Sequence, residues 1–344
     1  MPLSTPGSQT APSSVSEIGE RALIERIRRR LPPLPPHLIV GPGDDAAVVA
    51  GDRGGLQILT TDAVIEGIHF DFRLSSPADV GYKALAVNVS DVAAMGGTAR
   101  VALLSLMLPD STLIQTVDGL LDGFLSLATS LKVALAGGNI SRSPGAFIAD
   151  VTVVGSVKPR KVLTRGGGSE GDALFVSGSI GAAAAGLGWL RAQKAGEPSA
   201  ALSECIHRHR RPEPRSRLGV LLGRTRAASA CMDLSDGLSD AVRQLAEASG
   251  TGARIDASSI PVHPGAIEWF KALGKDPIEA SVRGGDDYEL LFTVPARRAG
   301  RLRGVLRLLR GLPVTRIGEL TRESSIDLVR NGASAPLPAG FSHF

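Results

Sequence analysis

The sequence predicts an α/β or α+β protein of two domains, and three observations carry that expectation. Short apolar runs rich in β-branched residues alternate with helical stretches and glycine-rich turns along most of the chain. The 344 residues are 43% apolar, enough to bury two ordinary cores. The stretch KPRKVLTRGGGSEG at 158–171 has three successive glycines, several basic residues and little to bury, which is the composition of a boundary.

The elements follow in order. Residues 1–15 are rich in Ser, Pro and Thr and are expected to form a disordered tail. A helix is expected from Ile18 to Arg30, stopped by the proline-rich LPPLPP, and a strand at Leu56–Thr60. A strongly signalled helix then begins with Ser76 as N-cap, Pro77 at the first helical position and Asp79 at the positive end. Gly96 and Gly97 close it. On it Lys83, Val87 and Asp91 recur every four residues and share a face, which makes Asp91 a candidate to point into a site. Phe147–Val157 reads as a long strand, and the first domain is expected to span 16–157. The second, 158–344, reopens with the strand ALFVS and a helix, GSIGAAAAGLGWL, where Gly178 and Gly181 allow close backbone approach. Near its end, Leu302, Val305, Leu306 and Leu309 mark an amphipathic helix, with Arg298, Arg301 and Arg310 on the wetter side.

Several function classes are disfavoured. No apolar stretch approaches the roughly 20 residues that cross a bilayer, and MPLSTPGSQTAPSSV lacks the blocks of a signal peptide, so a cytoplasmic protein is expected. Cys205 and Cys231 stand in unrelated contexts and suggest neither a disulfide nor a thiolate metal site. The net charge of +4 comes largely from ERIRRR and RHRRPEPR, but aromatic residues make up only 4% of the chain and do not interleave with them. Solvated helix faces are the expectation, with no nucleic-acid partner.

Acidic residues recur beside glycines and hydroxyls at the edges of expected strands: GPGDDAAVV, TTDAVIEGIHF, NVSDVAAMGG, MDLSDGL and GGDDYELLF. Any single one is an ordinary turn or cap. Together, and without histidine ligands beside them, they suit magnesium, a hard cation held by a few carboxylates, water and substrate phosphates. Phosphoryl transfer needs such ions to position and neutralise the transferred group. Neither a GxxxxGK[ST] loop nor a protein-kinase motif set occurs, so both common kinase architectures are disfavoured.

Longer motifs narrow this. GDDAA at Gly43–Ala47, TTD at Thr60–Asp62 followed by EGIHF, KALAVNVSDVAAMGG at Lys83–Gly97, LTR before Gly166, DLSDGL at Asp233–Leu238, GGDDYELLFTVP at Gly284–Pro295 and the terminal FSHF together resemble the thiamine-monophosphate kinase family. The resemblance runs from about Glu17 to Phe344. It implies an aminoimidazole-ribotide-synthetase-like fold of two domains, with N-terminal domains forming a β-barrel across a homodimer and a separate C-terminal α/β domain. It also implies an ATP- and magnesium-dependent enzyme that phosphorylates thiamine monophosphate to thiamine diphosphate directly, without a phosphoenzyme and without an assigned acid or base.

By the same resemblance, several Mg2+ ions would be held by Asp45, Thr60, Thr61, Asp62, Asp91, Asn139, Asp233 and Asp236. ATP would be contacted by Gly138, Arg165 and Ser235, and thiamine monophosphate by His69, Asp286 and Phe341. Each has a plainer explanation: Asp233 or Ser235 as a helix cap, Arg165 as an exposed linker arginine, His69 as a structural histidine, Phe341 as C-terminal docking. The pair His207 and His209 offers too few ligands for a metal and reads as structural.

The chain departs from the family twice. Asn139 stands where an aspartate is usual, which keeps an oxygen ligand and loses a charge, and Asp286 replaces a glutamate one methylene longer. The selenophosphate-synthesising and hydrogenase-maturation branches of the superfamily place a reactive cysteine or selenocysteine where this chain has none. The ring-closing purine enzyme is a weaker alternative within the superfamily, because the EGIHF, GGDDYEL and terminal HF pattern fits the thiamine enzyme better. A regulatory nucleotide binder that has lost catalysis is the alternative of a different class, and magnesium-dependent turnover separates the two.

Overall fold

The computed structural model describes residues 15–33, 35–51, 54–193, 196–309 and 311–340. The expected tail lies outside these residues except for Val15. The first half runs α1 (Val15–Arg28), β1 (Leu38–Val40), β2 (Ala47–Ala50), β3 (Leu56–Ile65), α2 (Pro77–Ala94), β4 (Thr98–Leu108), α3 (Ile114–Leu131), β5 (Ala134–Arg142) and β6 (Ile148–Val157). Its strands form a six-stranded sheet in the order β1-β2-β3-β6-β4-β5, antiparallel except for the β4–β5 pair. Along β6 every second residue is buried, as a strand with one face on a core requires. Pairing with β6 extends β3 through Thr61 and Asp62 to Ile65, five residues past its expected end.

Helix α2 organises the molecule. Ser76 and Asp79 form a reciprocal capping box with Pro77 in the first turn, as the sequence predicts. The helix is buried on almost every side, because it packs between the first sheet, α3 and the second half of the chain. Its crossing with α3 requires glycine. A Cβ on Gly81 would stand 1.9 Å from the Leu120 carbonyl oxygen, and one on Gly123 1.8 Å from that of Ala78. The polar residues of α2 therefore have only the interior to face.

The second half runs β7 (Ala173–Ser177), α4 (Ala182–Ala192), α5 (Ala200–Arg210), α6 (Ser216–Thr225), β8 (Ala230–Asp233), α7 (Leu238–Ser249), β9 (Gly252–Asp256), α8 (Pro264–Ala272), α9 (Pro277–Arg283), β10 (Leu290–Val294), α10 (Ala299–Leu308), β11 (Val314–Thr321), β12 (Ile326–Arg330) and β13 (Ala333–Pro336). These strands form a seven-stranded sheet, β13-β12-β9-β11-β7-β10-β8, antiparallel except for β9–β12. Helices cover both faces. Leu291 joins Met232, Leu245 and Ile255 on one side, while its neighbour Phe292 joins Leu218, Leu222 and Val305 on the other. Ala94 at the end of α2 belongs to that second cluster, so the two halves share buried surface.

Three expectations are corrected. The first helix starts at Val15, ends at Arg28 and is broken by a left-handed Gly19. Neither Asp233 nor Ser235 caps α7; its N-cap is Gly237, with φ 93°, and no side chain among the described residues bonds there. The arginines of RHRRPEPR are not a solvated face. Arg210 donates to the Leu74 carbonyl at 2.7 Å, Arg211 to Asp79 at 2.6 Å, and Arg215 is buried against Glu289. The amphipathic α10 is as expected, with Leu302, Val305 and Leu309 buried, although Arg298 and Arg301 bond the Ala228 and Arg226 carbonyls; Arg310 lies outside the described residues. The first sheet is open among the described residues, with edges at β1 and β5.

Candidate active site between the two halves

Three carboxylates from three distant segments converge where the halves meet. Asp45 precedes β2, Asp91 lies on the buried helix α2 and Asp233 ends β8. Each offers an oxygen within 4.8 Å of the other two. Thr60, in the middle of β3, donates its hydroxyl to Asp91 Oδ2 at 2.5 Å, and Ser90 donates to Asp233 Oδ2 at 2.5 Å. Strand alternation puts Asp62 on the same face of β3 as Thr60. Its charge reaches both Asp91 and Asp233.

The cluster is electrostatically unfavourable by itself. Burial, followed by repulsion from Asp45, pushes the Asp233 carboxyl up to about 8. Burial and then the charges of Asp233, Asp62 and Asp45 raise Asp91 well above the carboxylate range. Asp44, next to the cluster, is raised to about 7 by burial and by Asp45. The Asp45 side chain is 1% exposed, and its Oδ2 has no hydrogen-bond partner among the described residues. Crowded carboxylates, an orphaned buried oxygen and oxygen-only donors fit a hard divalent cation.

Arg165 supplies the one cation in direct contact among the described residues. Its Nη2 lies 2.8 Å from Asp45 Oδ1, its Nη1 bonds Gln244 on α7, and its backbone N–H sits 3.2 Å from both oxygens of Asp44. The connection between the halves is therefore pinned onto the acidic cluster. Ser235 lies in the turn between β8 and α7, and its carbonyl accepts the Asp286 N–H at 2.6 Å.

A second polar group adjoins the first. Lys83, one α-helical face with Asp91, is 4% exposed. Its Nζ reaches Asp286 Oδ2 at 2.8 Å and the His69 carbonyl at 3.3 Å. Tyr288 donates to Asp286 Oδ1 at 3.3 Å, and Nδ1 of His209 stands 3.8 Å from Asp286 Oδ2. Asp286 (φ 69°) and Tyr288 (φ 49°) both take left-handed backbone, which is costly for side chains of their size and occurs where structure over-determines it. Burial opposes ionisation of Asp286, but the charge and hydrogen bond of Lys83, together with His209 and His69, outweigh it and hold the carboxyl below its usual value.

Not every expected residue joins these groups. The Thr61 hydroxyl faces the other side of β3 and bonds Asp150 and Thr152 at 3.1 and 3.2 Å, so this side chain is withdrawn from the proposed ligands. Asn139 and Gly138 lie on the exposed edge strand β5. In the register Ala63–Asp150–Ser105–Asn139, Asn139 is three strands from β3, roughly 14 Å at ordinary strand spacing. Within one chain it does not reach Asp45, Asp91 and Asp233. Asp236 lies in the turn before α7, and Phe341 lies outside the described residues.

Sequence reasoning did not assign Asp44, Lys83, Gln244 and Tyr288, and it left His209 structural. Lys83 carried a signal, its shared helical face with Asp91; His209 carried none, because only tertiary packing sets it beside Asp286. A different constellation has no reactive role: Cys205 Sγ lies 3.2 Å from His263 Nδ1, yet burial pushes this thiol up to about 12, and the same Nδ1 caps α8 through Gly265.

Comparison with known proteins agrees with this geometry. Residues 43–157 match the family model of the AIR synthase related protein N-terminal domain, and residues 169–331 match that of the C-terminal domain. Thiamine-monophosphate kinase of Bacillus subtilis (strain 168) is 35% identical over 309 residues, 89% of this chain and 93% of the relative. That of Escherichia coli (strain K12) is 34% identical over 328 residues, 95% and 98% of the two chains. A solved structure described as AaThiL complexed with AMPPCP and TMP superposes with a TM-score of 0.84 at 33% identity, covering 97% of this chain and all of that one. Similarity of this extent spans both halves, and the chain belongs to the thiamine-monophosphate kinase family.

Proposed function

We infer that this protein transfers the terminal phosphoryl group of ATP to the phosphate of thiamine monophosphate, giving thiamine diphosphate and ADP. The observation that carries this reading is the Asp45–Asp91–Asp233 cluster at the junction of the halves, with the orphaned Asp45 Oδ2 and Arg165 at its edge. The full-length similarity to thiamine-monophosphate kinases, one of them solved with AMPPCP and TMP, supports it.

The chemistry needs little from protein acids and bases. The acceptor is a phosphate monoester whose second pKa is about 6, so at neutral pH its oxygen is already a nucleophile. It forms the new P–O bond as the bond between the β- and γ-phosphates breaks and ADP leaves, with no phosphoenzyme. What the site must supply is alignment and positive charge. Magnesium bound by Asp45, Asp91 and Asp233, with Asp62 and Asp236 in reach of further ions, would neutralise the phosphates. Arg165 presents a permanently charged planar fork beside them. The α7 N-terminus, which follows Ser235 and Asp236 and carries no side-chain cap, offers backbone N–H groups to phosphate oxygens. His69 and Asp286 face the acceptor's organic part.

The assignment of 16–157 to metal binding and dimerisation, and of 158–344 to a C-terminal α/β domain, belongs to the same proposal, as does a homodimer. Ile140 on β5 is 73% exposed and Leu103 on the neighbouring β4 is 42% exposed, an apolar sheet edge that a second copy would cover. Such a partner could also bring Asn139 and Gly138 to a site they do not reach within one chain.

Incubation with ATP, magnesium and thiamine monophosphate, following thiamine diphosphate and ADP together, tests the reading. Matched formation of both products, abolished by a chelator and absent with unphosphorylated thiamine, is the expected result. ADP release or nucleotide binding without thiamine diphosphate would assign the chain to another activity or to regulation.

A further inference from the structure

His209 is out of place for a structural histidine. It is 4% exposed near the end of α5, and its Nδ1 is buried with no hydrogen-bond partner among the described residues, an arrangement that costs free energy unless something completes it. The side chain is held firmly. The next two residues tie α5 to the first half of the chain, Arg210 through the Leu74 carbonyl and Arg211 through Asp79 and the Tyr82 ring. Asp286 Oδ2 stands 3.8 Å from Nδ1, too far for a hydrogen bond. Asp286 itself is 30% exposed at the side chain, so this pair borders space that a ligand can enter.

The chemical roles of the two groups differ. Asp286 accepts from Lys83 through Oδ2 and from Tyr288 through Oδ1, and each oxygen has a lone pair left for one more donor. His209 is neutral near pH 7, because burial and then Lys83 lower it to about 4. The neighbouring carboxylate favours the tautomer with its proton on Nδ1, which makes that atom a donor. A carboxylate acceptor and an imidazole donor, too far apart to bond one another, match a ligand edge with a donor and an acceptor on adjacent atoms. An amino group beside a ring nitrogen is such an edge, and the aminopyrimidine of thiamine monophosphate has one.

We propose that His209 is a specificity-determining residue: its Nδ1 and the Asp286 carboxylate together read the amino group and adjacent ring nitrogen of the substrate's aminopyrimidine, with Lys83 fixing the carboxylate. This rests on the thiamine-monophosphate kinase reading and deepens it. The longer glutamate usual at position 286 would reach such a ring alone. The shorter aspartate leaves a gap that His209 fills.

The test compares wild type, His209→Gln and His209→Asn with two acceptors, thiamine monophosphate and its analogue with a carbonyl oxygen replacing the pyrimidine amino group. Glutamine places its amide near Nε2 of the lost ring, and asparagine places it near Nδ1. The H209Q variant is expected to raise KM for thiamine monophosphate roughly three- to tenfold at nearly constant kcat, to lose most discrimination against the analogue, and to keep its KM for ATP, which reports an intact fold. The H209N variant should recover most of the lost affinity. Equal effects of the two variants, or unchanged discrimination in H209Q, would overturn the proposal while the kinase reading stands. Wild-type protein that forms no thiamine diphosphate overturns the kinase reading, and the proposal with it.

Discussion

Arg165 donates to Asp45 Oδ1 at 2.8 Å, and the other oxygen of the same carboxylate is buried without a partner among the described residues. The arginine is thus the sole counter-charge in direct contact with Asp45 among the described residues. Arg165→Ala should destabilise the metal-free protein by about 3 kcal/mol, since removing one member of a buried pair strands the other. Arg165→Ala combined with Asp45→Asn should recover much of that loss without recovering turnover. Urea denaturation beside the phosphotransfer assay checks both; additive losses in the double variant would show that the pair is not coupled.

Activity and apo-stability should move in opposite directions at Asp91. It sits among like charges that raise it well above its ordinary value, and Thr60 can donate as well to an amide oxygen. Asp91→Asn should raise the stability of the metal-free protein by about 1 kcal/mol through relief of repulsion. It should also lower turnover by at least about a hundredfold through loss of a ligand. Thermal melts with and without magnesium read the first effect, and steady-state rates the second.

The same cluster shows what was legible in the sequence. The fold class, the capped helix α2, the strands β6 and β7 and the carboxylates Asp45, Asp91 and Asp233 follow from local pattern and motif, because each is encoded by adjacent residues. The extension of β3 through Thr61 and Asp62 depends on pairing with β6, which local polarity hides. The arginines at 208–215 look like a wet face, yet their partners Leu74, Asp79 and Glu289 lie 74–136 positions away in the chain. His209 acquires its neighbour Asp286 only once α5 is clamped. Long-range ion pairing is the physical content that a single sequence withholds.

Stability of the metal-free protein should fall as pH rises. Asp233 titrates near 8 and Asp44 near 7 in the folded state, both above the ordinary carboxylate value of 3.8. Between those values the folded protein binds more protons than the unfolded chain. Their contribution is therefore fully present below about pH 4 and lost as pH passes through 7 to 8. Magnesium, which favours the ionised carboxylates, should flatten or reverse the slope. Melting temperatures from pH 5 to 9 with chelator or with magnesium decide this; identical slopes would remove the cation from the cluster.

Lys83 should govern the pH dependence of acceptor affinity. Burial raises Asp286, and Lys83, with smaller contributions from His209 and His69, more than offsets it, so the wild-type carboxylate stays ionised across the neutral range. In Lys83→Met the offset is gone, and the Asp286 carboxyl moves above its usual value. KM for thiamine monophosphate should then rise as pH falls from 8 to 6 in the variant while staying flat in the wild type. A pH-independent increase would mean that Lys83 acts only through packing.

Arg215 supports the site from behind without facing it. It is 7% exposed at the side chain, Glu289 is fully buried, and the two meet side-on through Nε and Nη2, with Nε 2.6 Å from Oε2. Ser177 donates to the same Oε2 at 2.5 Å, while Arg208 stands 3.4 Å from Oε1. Arg215→Met would leave Glu289 facing the more distant Arg208 alone, at a cost of about 3–5 kcal/mol. Because Glu289 alternates with Tyr288 and Leu290 at the start of β10, the loss should spread into the strand that anchors Asp286. Replacing both members by apolar residues of similar volume removes the stranded charge, and Arg215→Met with Glu289→Leu should be markedly more stable than Arg215→Met alone. Chemical denaturation of the wild type and the two variants separates these cases, and a double variant no better than the single one would mean that the pair specifies the loop geometry around Asp286 as well as balancing charge.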